Sequence, residues 1–185
     1  VTNPNYCHLA VIADRSGSMQ NIAKDMEGGL EHMFDEQAVQ PGSCIVDMVI
    51  FDDKYEVLYE GVSVDKAYAQ ISPRGSTALL DAVGKTIVTL GEKLAKMDED
   101  HRPGIVIVAI VTDGYENASQ EYTLDQVKKL IAKQTDEYGW KFVFLGANID
   151  AIGVGGGMGM AKGMSMNYDA TAAGTRVGTQ SLSNY

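Results

Sequence analysis

The sequence predicts an α/β fold: a doubly wound, mostly parallel sheet covered by helices on both faces. Three observations lead there. Residues 8–13, 44–51, 105–112 and 140–145 are apolar runs of the kind that strands covered on both sides show. Segments with apolar residues at helical spacing stand between them, notably 19–38 and the stretch with Leu80, Val83, Ile87, Leu90, Leu94 and Met97 on one stripe. The two kinds of segment alternate, as they do when crossover helices join the strands of a sheet.

Residues 8–13 form the first predicted strand. Ile22, Met26, Leu30, Met33 and Phe34 mark an amphipathic helix over 19–38, weakened by Gly28 and Gly29 and ended by Pro41-Gly42. Residues 44–51 are the second strand. The turn Asp52-Asp53-Lys54 is so short that the third strand, 55–59, must run antiparallel to the second. Residues 64–71 read as a short helix, 73–76 as a loop and 98–103 as a charged, exposed link. Residues 105–112 are the most apolar strand and belong at the sheet centre. Thr123-Leu124-Asp125-Gln126 matches a capping box ahead of Val127, Leu130 and Ile131, and 140–145 is the next strand. Beyond it, 150–154 reads as a helix start, 155–157 as a glycine interruption, 164–166 as a short sixth strand and 170–182 as a closing helix. The chain has 185 residues, enough for one domain with a sizeable core, so a single domain over 1–185 is expected.

Apolar residues make up 45% and charged residues 22%, as in a soluble globular protein. The formal net charge of -10 argues against nucleic acid as a main partner and against an anionic membrane surface. No apolar run approaches the roughly 20 residues of a membrane span. The polar start, Val1-Thr2-Asn3-Pro4-Asn5, is unlike a signal peptide. A cytoplasmic location is expected. Cys7 and Cys44 have no metal-ligand spacing and open two strand-like runs; the expectation is two reduced, buried thiols on strands that can neighbour each other.

Oxygen side chains gather where predicted strands end. The first strand runs into Asp14-Arg15-Ser16-Gly17-Ser18, where a carboxylate and two hydroxyls at alternate positions converge if the loop curls, a path Gly17 allows. Thr77 precedes the long helix in Arg74-Gly75-Ser76-Thr77, and Asp113 ends the central strand in Thr112-Asp113-Gly114. In a doubly wound sheet, ligands bind beyond the carboxyl ends of the strands, and Asp14 and Asp113 would face each other there. Hard oxygens around one point suit a hard cation such as Mg²⁺. The plainer alternative is that Asp14 and Ser16 form a turn and cap the following helix.

In order and spacing, DRSGSM, RGST and TDG resemble the metal-ion-dependent adhesion site of von Willebrand factor A (VWA) domains, and the resemblance covers the whole chain with five ligand positions filled. The stretches 112–119 and 142–148 resemble bacterial or phage members. The resemblance implies a six-stranded sheet in the order 3-2-1-4-5-6 with strand 3 antiparallel. It also implies Mg²⁺ or Mn²⁺ held by Asp14, Ser16, Ser18, Thr77 and Asp113. Two carboxylates and three neutral hydroxyls leave a divalent ion short of donors, so an Asp or Glu from a protein partner would complete the shell. The function implied is a non-enzymatic, metal-dependent interaction module. One alternative is a structural VWA domain of a phage particle or bacterial assembly, its metal only stabilising loops.

The enzyme alternative, a Mg²⁺-dependent phosphohydrolase, needs a base near the ion, and His8, His32 and His101 are poorly placed for that. The glycines of 153–159 match no phosphate-loop pattern and read as a linker; the methionines there read as core filling. Asp81 is expected to face its own helix N-terminus, where the dipole favours a carboxylate. Asn148 and Asp150 read as turn and cap residues, and Tyr115 and Glu116 as candidates for the rim of the site.

Overall fold

A computed structural model of the chain describes residues 2–21, 23–112, 118–147, 158 and 165–168. Strand β1 (Asn3–Asp14) has a parallel partner on each edge, β2 (Ser43–Phe51) and β4 (Pro103–Thr112). β3 (Tyr55–Ser63) returns antiparallel on β2, and β5 (Lys141–Ala147) lies parallel to β4. The order β3-β2-β1-β4-β5 and the antiparallel β3 agree with expectation. A four-residue strand, β6 (Ser165–Tyr168), pairs with β5. The chain moves outward from β1 to β2 and β3, then crosses back to β4, so the order reverses between β1 and β4.

Among the described residues three helices cover the sheet: α1 (Ala23–Ala38), α2 (Leu79–Ala95) and α3 (Leu124–Tyr138). Leu9, Val11 and Ala13 of β1 pack with Met26, Leu30, Met33 and Phe34 of α1. Ala10 and Ile12 point the other way, toward Leu79, Val83 and Ile87 of α2 and Val127 and Ile131 of α3. The period-2 alternation of a strand feeds two cores, which is why β1 reads as a continuous apolar run. Each fully buried side chain of Leu, Ile or Phe size contributes about 1.5–3 kcal/mol.

Several boundaries differ from expectation. β1 starts five residues early because partners on both edges continue its ladder, down to the Asn3 N–H donated to the Arg102 carbonyl. The first helix does not run from 19: a 3-10 turn (Gly17–Asn21) precedes α1, opened by the Met19 N–H on the Ser16 carbonyl. Residues 64–71 are helical only over Val64–Lys66. The N–H groups of Ala69 and Ile71 donate to carboxylates of α1, Glu31 and Glu27, so helical bonds are replaced by tertiary ones while Val64, Ala69 and Ile71 enter the core. The link 98–103 holds a 3-10 turn (Glu99–His101), and Arg102 reaches back to donate to the carbonyls of Leu94 and Met97 at the α2 C-terminus. α3 has the expected capping box at Thr123 and Gln126. The expectations at 150–154, 155–157, 170–182, Asn148 and Asp150 lie outside the described residues.

One histidine carries a surprise. His8 is fully buried, and its Nε2 lies 2.7 Å from Asp47 Oδ2. Burial alone would raise the Asp47 carboxyl; His8, the Gly61 N–H and Lys93 outweigh it and hold the group below its ordinary range.

Two helical glycines differ in their surroundings. A Cβ on Gly84 would meet the Tyr122 ring at 2.5 Å, whereas one on Gly91 would meet only Gln134 Nε2 at 3.5 Å. Alanine favours a helix interior by about 0.8–1 kcal/mol over glycine. Gly91→Ala is therefore expected to stabilise by up to about 1 kcal/mol, and Gly84→Ala to destabilise by about 1–3 kcal/mol through overpacking. Urea denaturation of the two variants checks the opposite signs.

Candidate metal centre

The register brings the strand ends together. Asp14 pairs with Phe51 of β2, and Ala13 with Val111 of β4, so Asp14 closes β1 beside Thr112. Asp14 is fully buried. Its Oδ1 accepts the Ser16 N–H at 2.6 Å, a local bond that turns the chain out of the strand. Its Oδ2 accepts the Thr112 hydroxyl, also at 2.6 Å. A carboxylate taken from water needs such donors to remain charged, and these two also fix its orientation.

A second loop lies against the first. The Arg74 N–H donates to the Arg15 carbonyl at 2.6 Å, and the Gly17 N–H to the Gly75 carbonyl at 3.1 Å. Gly75 adopts φ +71°, and a Cβ there would meet the Asp53 and Asp52 carboxylates at 2.7 and 2.9 Å, so the loop path requires glycine. This loop delivers Thr77, which is buried, and its Ala78 N–H donates to the Asp52 carbonyl at 2.8 Å. The segment beyond β4 returns to the same place, where the Ala118 N–H donates to the Thr77 carbonyl.

The structure therefore brings Asp14, Ser16 and Thr77 onto loops bonded to each other at the carboxyl ends of β1 and β4. Ser18 lies within the 3-10 turn that follows Ser16. Asp113, Tyr115 and Glu116 lie outside the described residues; Asp113 follows Thr112 directly in the chain. Among the described residues no three His, Cys, Asp or Glu are grouped to hold a metal. Among the described residues the donors at this place are one carboxylate with hydroxyl oxygens, hard ligands that fit a hard divalent cation.

Sequence reasoning missed the ionic buttress beneath these loops. Arg15 is buried; its Nη1 donates to Glu56 Oε2 at 2.8 Å and its Nε lies 3.6 Å from Asp52 Oδ2. Asp52 also takes the Arg74 Nε–H at 2.9 Å and the Lys54 N–H at 2.7 Å. Burial would raise the Asp52 carboxyl, but the Lys54 N–H and the two arginines hold it below the usual carboxylate range. A cation in the loop that follows Asp14 is thereby neutralised by two carboxylates. The buttress follows from the register seen in the structure, where Asp14 pairs with Phe51 and the next residues, Arg15 and Asp52, come side by side. Thr112 was visible as the polar end of an apolar run.

Asp81 corrects its expectation. It caps another segment: its carboxylate accepts the N–H groups of Gln120, Glu121 and Tyr122 at 2.8–2.9 Å, and its own N–H donates to Ser119 Oγ. Three fixed donors outside the helix outweigh the diffuse attraction of the helix's own dipole.

No protein-family model matches the sequence, and no curated protein does. Comparison with solved structures shows the fold of VWA domains. The pilus adhesin SpaC of Lactobacillus rhamnosus GG, in its open conformation, superposes with a TM-score of 0.71 at 12% identity, over 100% of this chain and 30% of that one. Proximal thread matrix protein 1 from the mussel byssus gives 0.67 at 15% identity, over 99% and 47%. A von Willebrand factor type A structure from Catenulispora acidiphila gives 0.63 at 12% identity, over 99% and 42%. The chain spans less than half the length of each of these proteins. One structure of the mussel protein has a zinc-occupied MIDAS motif, that is, a metal-ion-dependent adhesion site.

Asp52→Asn is expected to lower stability by about 1–3 kcal/mol at neutral pH, since it leaves buried arginine charge short of a partner. A carboxyl whose folded pKa is depressed stabilises above its unfolded pKa, about 3.9, and loses that contribution as pH falls through the folded value. The difference between parent and variant is therefore expected to shrink below about pH 3.9, as read by urea denaturation across pH.

Proposed function

We propose that the chain is a divalent-metal-dependent protein-interaction module of the VWA type, with Mg²⁺ or Mn²⁺ held by Asp14, Ser16, Ser18, Thr77 and Asp113. The observation that carries this reading is the convergence of Asp14, Ser16 and Thr77, all buried, on mutually bonded loops at the reversal of strand order. Ligands of open α/β sheets bind at that point. The ion would act as a Lewis acid presented to a partner. Held by two carboxylates and three neutral hydroxyls, the ion would be left able to take an Asp or Glu carboxylate from the partner. The acidic chain then accepts an acidic side chain because the local ion outweighs distant charges. We read residues 1–185 as one such domain, of the bacterial or phage type, working in the cytoplasm.

This chain's own residues prepare the site. Ser16 and Thr112 aim the Asp14 carboxylate, and the Arg15, Asp52 and Arg74 network fixes the separation of the two hydroxyl-bearing loops. The same network supports a second reading, in which the metal only stabilises loops of a structural domain. The two readings part on whether a carboxylate binds to the loaded site.

Calorimetric titration with Mg²⁺ and with Mn²⁺ is expected to give saturable binding to the parent and none to Asp14→Ala, with both folded by circular dichroism. Thr112→Val, which removes the donor to Asp14 Oδ2, is expected to weaken the metal about 10–100-fold, as loss of an outer-shell partner does. A Glu-containing peptide is expected to bind only in the presence of metal. Metal binding without peptide binding favours the structural reading, and a folded parent that binds neither metal overturns both.

A further inference from the structure

A second cluster lies toward the opposite end of the strands from Asp14. Cys7 of β1 and Cys44 of β2 are direct register partners in parallel strands. Cys7 shares the face of Leu9 and Val11, and Cys44 that of Val46 and Met48, so both project on the side that α1 covers. Adjacent strands lie about 4.8 Å apart. That spacing falls within the Cα separation of about 4.4–6.8 Å that a disulfide spans. Both cysteines are free thiols and half-buried. With Gln40, Ser43, Ile105 and Ile107 they line one open cavity of about 480 Å³. Seven residues of strand separate Cys7 from Asp14, roughly 23 Å, so this cluster is independent of the metal reading.

The two thiols are not equivalent. Hydrogen bonding from Cys44 holds the Cys7 thiol below its ordinary pKa against the effect of burial, with help from the Lys141 ammonium; the same contact and burial push Cys44 up. The Cys44 sulfur also lies 3.8 Å from the Ile45 carbonyl, a second acceptor for its proton. A sulfur whose proton has a backbone acceptor beside one that receives a hydrogen bond is the arrangement expected of a resolving and an attacking thiol.

We propose that Cys7 and Cys44 form a thiol–disulfide exchange site, with Cys7 as the attacking sulfur, Cys44 as the resolving sulfur and a small-molecule disulfide such as oxidised glutathione as the oxidant. The Cys7 thiolate attacks one sulfur of that disulfide, its S–S bond breaks, and one glutathione thiolate leaves. Cys44 then loses its proton to solvent and attacks the Cys7 sulfur, which forms the Cys7–Cys44 bond and expels the second glutathione thiolate. Both released thiolates take up protons. The protein is oxidised by two electrons, and one glutathione disulfide is reduced to two thiols. The product bond ties β1 to β2 across a loop of 38 residues, counted inclusively from 7 to 44.

The chain has two cysteines, so every thiol counted belongs to this pair. The test is equilibration of the folded parent in graded glutathione buffers, followed by alkylation and intact mass. The expected result is a single two-electron transition from two alkylated thiols to none, without retained glutathione, in a protein that stays monomeric on a non-reducing gel. Oxidation is expected to raise Tm by roughly 10 °C through the closed loop. Cys44→Ser is expected to retain one glutathione on Cys7, and Cys7→Ser to react at least tenfold more slowly at Cys44. Unreactive thiols, a persistent mixed disulfide in the parent or disulfide-linked dimers overturn the site. Equal rates in the two variants overturn the assignment of the attacking sulfur. The parent's mass and gel results decide the site even where a serine variant does not fold.

Discussion

Much of the structure depends on β1 having a parallel partner on each edge. A strand flanked on both sides has no freedom of register: a slip of one residue would turn Leu9, Val11 and Ala13 out of the α1 core and into the α2 core. With the register fixed, the ends of β1, β2 and β4 stop at the same level, and β1 and β2 deliver their next residues, Arg15 and Asp52, to one place. The site is thus a by-product of sheet geometry. Asp14 is where it is because Ala13 pairs with Val111 and Asp14 with Phe51. The thiol pair has the same origin, since the register that sets Asp14 against Phe51 also sets Cys7 against Cys44.

Charge is the second constraint. The loops at this edge bring Asp14, Arg15 and Asp52 into buried positions with the exposed Arg74 beside them, and an unpaired charge in a buried place is costly. The structure answers by pairing: Arg15 with Glu56 and Asp52, Arg74 with Asp52, Asp14 with the Ser16 N–H and the Thr112 hydroxyl. The guanidinium of Arg15, the residue after Asp14, is thus compensated by Glu56 and Asp52.

Most of the sheet was legible in the sequence, because a strand buried on both faces leaves an uninterrupted apolar run and the tight Asp52-Asp53-Lys54 turn admits only an antiparallel return. The candidate site was legible in part, since Asp14, Ser16 and Thr77 stand at strand and loop ends that the alternation of elements already placed on one edge. What stayed hidden depends on contacts far apart in the chain. Residues 64–71 have apolar positions at helical spacing, but Glu27 and Glu31 from α1 take their N–H groups. The donors to Asp81 are three backbone groups of a segment about forty residues away, which no local pattern signals. The His8–Asp47 pair was invisible because His8 resembles any polar residue at the mouth of a strand.

Helix α2 is fastened at both ends by residues outside it. At its first turn Asp81 grips residues 120–122, and at its last Arg102 fills the carbonyls of Leu94 and Met97. Helices ordinarily fray from their termini, where backbone groups lack partners. Here each terminus is tied to the segment on one side of β4, before the strand at Arg102 and after it at 120–122, so α2 and β4 behave as one closed frame. Amide exchange in α2 should then require opening of the frame as a whole rather than stepwise unwinding, which makes the helix a stiff strut running from the Asp14 edge of the sheet to its far side.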